Sequence, residues 1–201
     1  MKHIFIEGKD SQNTLLLLHG TGGTERDLLP IAEMIDPEAN ILAVRGNILE
    51  NGMPRFFKRL SEGVFDQADL IKQTKTLNTF LNEASVQYQF DRQNIVAVGY
   101  SNGANIAASL LFHYSKPLRA AILHHPMVPR RDIKLPDQTG LPVFIGAGKN
   151  DPLCPQRESV ELAHLLLGSG AKVSLHWEMN GHQLSRTEIM AAHEWYQTHI
   201  K

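Results

Sequence analysis

The stretch Gly99-Tyr100-Ser101-Asn102-Gly103 has the form G-x-S-x-G and stands between two segments of different character. Residues 94–98 before it are mostly apolar and β-branched, which predicts a buried strand, and residues 102–114 after it have the pattern of a helix. A serine on a tight turn from strand to helix is typical of a nucleophile elbow, where small neighbours permit a strained backbone. An ordinary strand-to-helix turn is the alternative interpretation.

The same alternation of strand and helix patterns extends over the whole chain. Short apolar runs predict strands at residues 3–6, 14–19, 40–44, 94–99, 120–124, 142–146 and 172–179. Helical periodicity predicts helices at residues 25–35, 67–89, 102–114, 156–169 and 185–199. Repeated alternation favours a mostly parallel central sheet of about seven strands with helices on both faces. We therefore expect one α/β domain over residues 1–201.

Composition limits the classes of function. The chain has 201 residues and a net charge of −1, so neither nucleic acid nor an anionic membrane surface is indicated as a partner. Cys154 is the single cysteine, which excludes an intramolecular disulfide and fits a reducing compartment. The N-terminus has no signal-peptide pattern, so a cytoplasmic protein without membrane attachment is expected. The oligomeric state, monomer or homodimer, stays open.

A nucleophilic serine needs a base, and the base needs an orienting acid. With this elbow the chain order is serine, acid, histidine, and in open α/β sheets the site lies at the carboxyl ends of the strands. Asp151 fits the acid, because its loop directly follows the predicted strand 142–146. Asp132 and Asp137 lie farther from any strand. An Asx turn is the alternative role for Asp151.

The chain has ten histidines, and position distinguishes one of them as the base. His182 follows the predicted strand 172–179 and the turn at Asn180-Gly181. His125 is the second choice, because it lies at a strand end but precedes the acid. No metal site is expected, since no H-E-x-x-H pattern occurs and the adjacent His124 and His125 would point in opposite directions on a strand.

The segment His19-Gly20-Thr21-Gly22-Gly23 follows a predicted buried strand. Acyl transfer needs two N–H donors for the developing oxyanion, and the backbone amides of Thr21 and Asn102 are the candidates. Gly22 and Gly23 would leave room for a substrate. The alternative is a dinucleotide-binding turn with Arg45 at a 2′-phosphate, but Glu25 stands where that fingerprint has its third glycine.

Residues 45–66 form a connection far longer than usual between a strand and a helix. Long ordered loops are often functional, and Met53, Phe56 and Phe57 could form an apolar wall of a substrate site. The alternative is that Phe56 or Phe57 simply packs into the core. With no larger cap predicted, a short acyl group is the expected substrate.

Together these motifs resemble the phospholipase/carboxylesterase family of α/β-hydrolases, the small bacterial carboxylesterases in particular. The residues that carry the resemblance are 18–23, 99–103, 148–152 with Pro155, 181–182, and 55–59 with Glu62-Gly63. The resemblance implies an α/β-hydrolase fold, with Ser101 as nucleophile, Asp151 as acid and His182 as base, and Thr21 and Asn102 as oxyanion donors. One departure is Asn102, where many members carry glutamine.

By this resemblance the chain is expected to be a serine esterase that cleaves small carboxylic esters without a cofactor. A thioesterase or lysophospholipase with the same triad is the alternative within enzymes, because fold and triad do not select the substrate. A non-catalytic ligand-binding module is the alternative outside them. Cys154 is expected near the site without a chemical role.

Overall fold

A computed structural model describes residues 1–9 and 12–201. Its main feature is a seven-stranded sheet. In spatial order its strands are β1 (His3–Ile6), β3 (Asn40–Val44), β2 (Thr14–Leu18), β8 (Ile95–Tyr100), β9 (Ala120–His124), β10 (Pro142–Gly148) and β11 (Lys172–Glu178). β1 is antiparallel to β3, and the other neighbours are parallel. The expected mostly parallel α/β sheet of seven strands is confirmed.

In the described part of the chain, four α-helices lie between strands of this sheet and a fifth follows β11. The helices are α1 (Leu29–Ile35), α2 (Gln67–Tyr88), α3 (Asn102–His113), α4 (Gln156–Gly168) and α5 (Arg186–His199), with a short 3-10 helix at Arg92–Asn94. No helix in the described part of the chain is both long and apolar enough to cross a membrane.

The buried strand β2 shows how the sheet separates two cores. Its side chains alternate, so Leu16 and Leu18 pack in one hydrophobic cluster and Leu15 and Leu17 in the other. Helices α2, α3 and α4 cover the first cluster, and α1 and α5 cover the second. Burial on both faces explains why the five central strands of the sheet are mostly apolar.

Two regions differ from the sequence-based expectation. Helix α1 begins at Leu29 rather than at residue 25, because Pro30 lacks an N–H and is tolerated only in the first helical turn. The connection at residues 45–66 contains two small antiparallel hairpins, β4 (Ile48–Glu50) with β5 (Met53–Arg55) and β6 (Arg59–Ser61) with β7 (Val64–Phe65). We call residues 48–65 the hairpin segment.

Candidate active site

The register of the sheet brings four strand ends to one edge. Because parallel strands run in the same direction, the residues that follow them meet there. The paired positions near this edge are Leu18 with Gly99, Tyr100 with His124, and His124 with Gly146. The turns that carry Thr21, Ser101, Asp151 and His182 all extend from this edge.

Ser101 lies on the tight turn between β8 and α3. Its φ is 52° and its ψ is −113°, a strained conformation for a residue with a side chain. The turn requires small neighbours, because a Cβ on Gly99 would lie 2.7 Å from Ala104 and one on Gly103 would overlap the carbonyl oxygen of Leu18. The Ser101 N–H donates to the carbonyl of His124 at 2.9 Å, which ties the turn to β9.

Ser101, His182 and Asp151 form a continuous chain of hydrogen bonds. His182 Nε2 lies 2.9 Å from Ser101 Oγ, and His182 Nδ1 lies 2.7 Å from Asp151 Oδ2. An ionised carboxylate only accepts, so Nδ1 carries the proton and donates to Asp151. Nε2 is then free to accept the hydroxyl proton of Ser101, which is the arrangement that a general base needs.

The carboxylate of Asp151 is buried and accepts four hydrogen bonds. Oδ1 accepts from the N–H groups of Leu153 and Cys154 at 2.8 and 2.9 Å. Oδ2 accepts from His182 and, at 2.9 Å, from His125 Nδ1. Burial opposes ionisation, but these donors outweigh it and hold the pKa of Asp151 below its usual value. Asp151 is therefore ionised at neutral pH.

Tyr100 supports the backbone of the histidine loop. Its hydroxyl donates to the carbonyl of His182 at 2.6 Å, although 82 residues separate the two in the chain. Burial, with the charge of Asp151, raises the pKa of Tyr100 to about 12, so the hydroxyl keeps the proton that it donates. Sequence reasoning missed this role, since nothing in G-x-S-x-G indicates where the second residue points.

Thr21 and Asn102, whose backbone amides are the predicted oxyanion donors, both line the cavity beside Ser101. Asn102 is the first residue of α3, so its N–H has no acceptor within the helix and lies at the positive end of the helix dipole. In the turn after β2, the N–H of Gly22 donates to Pro54 and that of Gly23 to Gly20. For Thr21 N–H the structure records no acceptor within the described residues.

Arg55 of β5 is a further residue at this site, and sequence reasoning did not select it as one. Its side chain is buried, and Nη1 donates to Thr21 Oγ1 at 2.6 Å. Nε donates to the carbonyl of Phe57 and lies 3.3 Å from Glu50 Oε2. Arg55 thus fixes the side chain of Thr21 and lines the same cavity as Ser101. An arginine next to two phenylalanines gave no signal for this contact.

The cavity at Ser101 has a volume of about 360 Å³ and mixes charged with apolar walls. Arg55, Arg59 and Glu62 contribute charge, and the apolar lining comes from Phe65, Met127 and Leu153. Neither Phe56 nor Phe57 lines it, since both are buried in the core cluster of α2 and α3. For these two rings the structure favours the core-packing alternative over a substrate wall.

The remaining predicted substrate contacts lie beside the main cavity. Gly22 and Gly23 line a second cavity of about 430 Å³, which shares Thr21 and Tyr100 with the first. Met53 is exposed, and a Cβ placed on Gly22 would lie 3.6 Å from its sulfur. These three residues therefore border the turn of Thr21 rather than the cavity at Ser101.

His124 and His125 both contact one buried carboxylate, that of Glu188 in α5. The expectation that the two rings point in opposite directions is wrong, because His125 lies beyond the end of β9 with a φ of 52°. Sequence reasoning missed Glu188. The pattern Ser185-x-x-Glu188 resembles a helix capping box, and the Glu188 N–H does donate to Ser185 Oγ, but the carboxylate turns inward.

Metal and dinucleotide binding find little support here. Among the described residues, one group of at least three ligand side chains is close enough for a metal: His125, Asp151 and His182, with atoms within 4.8 Å of one another. These atoms already form hydrogen bonds to each other. Arg45, the candidate phosphate ligand, pairs at 2.5 Å with the buried carboxylate of Glu25.

Comparisons with known proteins identify the family of the chain. Residues 1–200 match the family model described as phospholipase/carboxylesterase. The chain is 62% identical over 200 residues to "Putative hydrolase MhqD" of Bacillus subtilis (strain 168), covering 100% of both chains.

Solved structures give the same result. The Bacillus cereus carboxylesterase is 61% identical with a TM-score of 0.98, over 100% of this chain and 95% of that one. YahD, solved with malic acid, is 32% identical with a TM-score of 0.94, over 98% of each chain. The chain therefore belongs to the phospholipase/carboxylesterase family and is a carboxylic ester hydrolase.

Proposed function

We propose that this hydrolase is a serine carboxylesterase that cleaves small esters through an acyl-enzyme on Ser101. The observation that carries the proposal is the chain of two hydrogen bonds, 2.9 Å from Ser101 Oγ to His182 Nε2 and 2.7 Å from His182 Nδ1 to Asp151. Each contact lies within the range for a nucleophile and its base. No cofactor takes part in the proposed steps.

In the first half of the reaction, Ser101 Oγ attacks the ester carbonyl carbon while His182 Nε2 takes the hydroxyl proton. The imidazolium that forms is stabilised by the ionised Asp151 on its other side. The carbonyl oxygen becomes an oxyanion, and the N–H groups of Thr21 and Asn102 bind it. Removing one such donor from an esterase or protease site costs about 10²–10³-fold in turnover.

Collapse of the tetrahedral intermediate breaks the bond to the alkoxy oxygen, and His182 gives its proton to the departing alcohol. Ser101 is left acylated. His182 then takes a proton from water, and the resulting hydroxide attacks the acyl carbon. The second collapse returns the proton to Ser101 Oγ and releases the carboxylic acid.

The size and lining of the cavity support a small substrate. A volume of about 360 Å³ lies near the lower end of the range for small-molecule sites. Each buried methylene contributes about 0.8 kcal/mol, so kcat/KM should rise with acyl length until the apolar wall of Phe65, Met127 and Leu153 is filled. We propose a preference for short acyl groups on this basis.

A substrate panel tests the proposal. It compares kcat/KM for p-nitrophenyl esters of acetate to dodecanoate, matched short acyl thioesters, and a long-chain lysophosphatidylcholine. Short oxygen esters should give the highest values, and Ser101→Ala should abolish all of them. Faster cleavage of the thioesters or of the lysophospholipid would replace the carboxylesterase assignment with one of those activities.

A further comparison in the substrate panel tests whether a negative charge on the ester favours its cleavage. Arg55 and Arg59 line the cavity, and YahD was solved with malic acid, a small dicarboxylic acid. A monoester of succinate should therefore be compared with the neutral ester of the same length. A higher kcat/KM for the acidic ester would narrow the substrate class to esters that carry a carboxylate.

A further inference from the structure

Behind the proposed triad lies a buried carboxylate that its chemistry does not require. Glu188 is 0% exposed, with Oε1 2.5 Å from His124 Nδ1 and Oε2 3.1 Å from His125 Nε2. Gly146 makes the space for it, because a Cβ at that position would overlap Glu188 Oε1. A buried carboxylate is costly unless it is paired, so this arrangement needs a cationic or strongly donating partner.

His125 is placed to be that partner. It is fully buried, and its two ring nitrogens face different carboxylates, with Nδ1 2.9 Å from Asp151 and Nε2 3.1 Å from Glu188. A neutral imidazole carries one N–H, so it would direct a lone pair at one of the two anions. Only the imidazolium donates to both. The charges then alternate as Glu188 negative, His125 positive and Asp151 negative.

We propose that His125 is a positioning residue of the site: a buried imidazolium held between Glu188 and Asp151, which fixes the triad carboxylate and places a positive charge beside the ring of His182. This inference rests on the proposed function, in which His182 must be neutral to act as the base. His125 touches neither the substrate nor the reacting atoms, and it acts through Asp151.

The electrostatic environment agrees with this geometry. Burial alone would favour neutral forms, but contact with His124 and His125 lowers the pKa of Glu188 to about 2. Contacts with Glu188 and Asp151 likewise raise the pKa of His125 above its usual value, in spite of burial. The backbone of His125 is also strained, with a φ of 52°, as is common where a side chain is held in place for function.

A positive charge on His125 affects His182 because the two rings are close together. The rings of His125 and His182 have centroids 5.2 Å apart, so a second imidazolium at His182 would lie beside the first. Like charges this close disfavour the protonated form. Loss of the His125 cation should therefore move the acid limb of kcat/KM to higher pH.

The other groups that face His125 do not supply a competing charge. Tyr100 and Cys154 contact it, and burial raises the pKa of each, so both stay neutral. His124 Nδ1 contacts Glu188, and the recorded hydrogen bonds of His124 within the described residues do not include Asp151. His125 is thus the one cation among the groups identified around Asp151.

The test is the pH dependence of kcat/KM in Glu188→Gln. The glutamine amide can donate to His125 Nε2, so the ring keeps its position and its bond to Asp151 but no longer needs the second proton. We expect the midpoint of the acid limb to move up by about one pH unit. A purely structural role would change the plateau of kcat/KM and leave the midpoint in place. An unchanged or lower midpoint would overturn the inference.

Glu178→Gln is the matched control. Glu178 also pairs with a histidine, His176, at 2.9 Å, but that pair does not contact Asp151. The same substitution there should leave the acid limb within about 0.2 pH units of wild type. An equal shift in both variants would assign the effect to general loss of negative charge and would count against His125.

A second measurement does not depend on how well Glu188→Gln folds. Nitrogen-15 NMR of the histidine rings in wild type and in Ser101→Ala at pH 8 should show both ring nitrogens of His125 protonated, with assignment by loss of the signals in His125→Gln. A single protonated nitrogen would overturn the inference and leave the proposed function intact. Esterase activity in Ser101→Ala would instead break the proposed function, whatever the NMR result.

Discussion

The cavity has two sides that are built differently. On one side, Ser101, Asp151 and His182 follow directly from the ends of strands in a sheet that is buried on both faces. On the other side, the hairpin segment lies outside that sheet and joins it through a few specific contacts, such as Arg55 with Thr21. The difference teaches that the sheet fixes the atoms proposed to react, whereas the hairpin segment shapes the space in front of them.

The largest effect is expected at the proposed nucleophile, on the side of the cavity that the sheet forms. Ser101→Ala removes the atom proposed to form the acyl-enzyme, and kcat should fall about 10⁶-fold. A fluorophosphonate probe should add once to wild type, at the peptide that contains Ser101, and not to the variant. Esterase activity that survives in Ser101→Ala would disprove the proposed role of this serine.

The second prediction concerns the acid on the same side. Asp151→Asn should lower kcat about 10⁴-fold, because the amide no longer holds His182 in the tautomer with a free Nε2. Asp137→Asn is the control, since Asp137 is exposed and its side chain contacts Thr139 and Lys116 rather than a triad residue. Comparable losses in both variants would show that Asp151 has been wrongly assigned.

The third prediction separates core from cavity within the hairpin segment. Phe57 is fully buried, so Phe57→Ala should lower the free energy of unfolding by about 3–5 kcal/mol through the void it creates. Chain-length preference should stay as in wild type. Chemical denaturation and the ester panel measure the two properties on the same preparation.

Phe65→Ala is the partner experiment, because Phe65 lines the cavity. It should move the preferred acyl length by at least one or two methylenes, with a smaller loss of stability than Phe57→Ala. If Phe57→Ala changes the preferred acyl length and leaves the free energy of unfolding unaltered, Phe57 contacts the substrate instead of packing in the core.

The fourth prediction tests the link between the two sides. Arg55→Met keeps much of the volume but removes the donor to Thr21, so kcat should fall about tenfold as the oxyanion turn loses its fixed geometry. Arg59→Met is the matched control, because Arg59 lines the same cavity and pairs with the same Glu50, but its recorded contacts do not include Thr21. Steady-state kinetics that give equal losses in the two variants would favour cavity charge over positioning.

The smallest effect is expected at Cys154. Its thiol is buried, donates to the carbonyl of His125 at 3.3 Å, and has a pKa raised by burial, so little thiolate forms. A serine at this position can make the same hydrogen bond, and kcat/KM of Cys154→Ser should stay within about threefold of wild type. A loss as large as that in Ser101→Ala would require a cysteine mechanism.

The division between the sheet and the hairpin segment also explains which parts of the structure the sequence could predict. The strand pattern and G-x-S-x-G located the sheet, because a doubly covered parallel strand must be apolar along its whole length. Asp151 and His182 were then selected by the rule that sites lie at strand ends, together with the chain order serine, acid, histidine. These three residues are separated by long stretches of chain, yet topology alone brings their loops together.

The contacts of the hairpin segment and of Glu188 could not be derived in this way. Phe56 donates its N–H to Asn102 Oδ1 at 2.7 Å, a backbone contact that no side-chain pattern encodes. Glu188 occupies a capping position and still turns inward, because Gly146 leaves a space that only the assembled sheet reveals. The sequence also left open whether Phe56 and Phe57 pack in the core, since an aromatic pair can equally form the wall of a substrate site.

The way the hairpin segment is attached has a consequence for divergence among relatives. The hydrogen bonds that attach it to the rest of the domain are made largely by main-chain groups, namely the carbonyl of Pro54 and the N–H groups of Phe56 and Lys58. The outward side chains of Leu60 and Val64, 73% and 50% exposed, take no part in them. Substitutions at such positions can therefore accumulate, and neighbouring cavity residues can change with them, while Ser101 and its partners keep their geometry. Directed evolution of substrate range should start from the exposed and cavity-lining positions of this segment and leave the buried Phe56 and Phe57 unchanged.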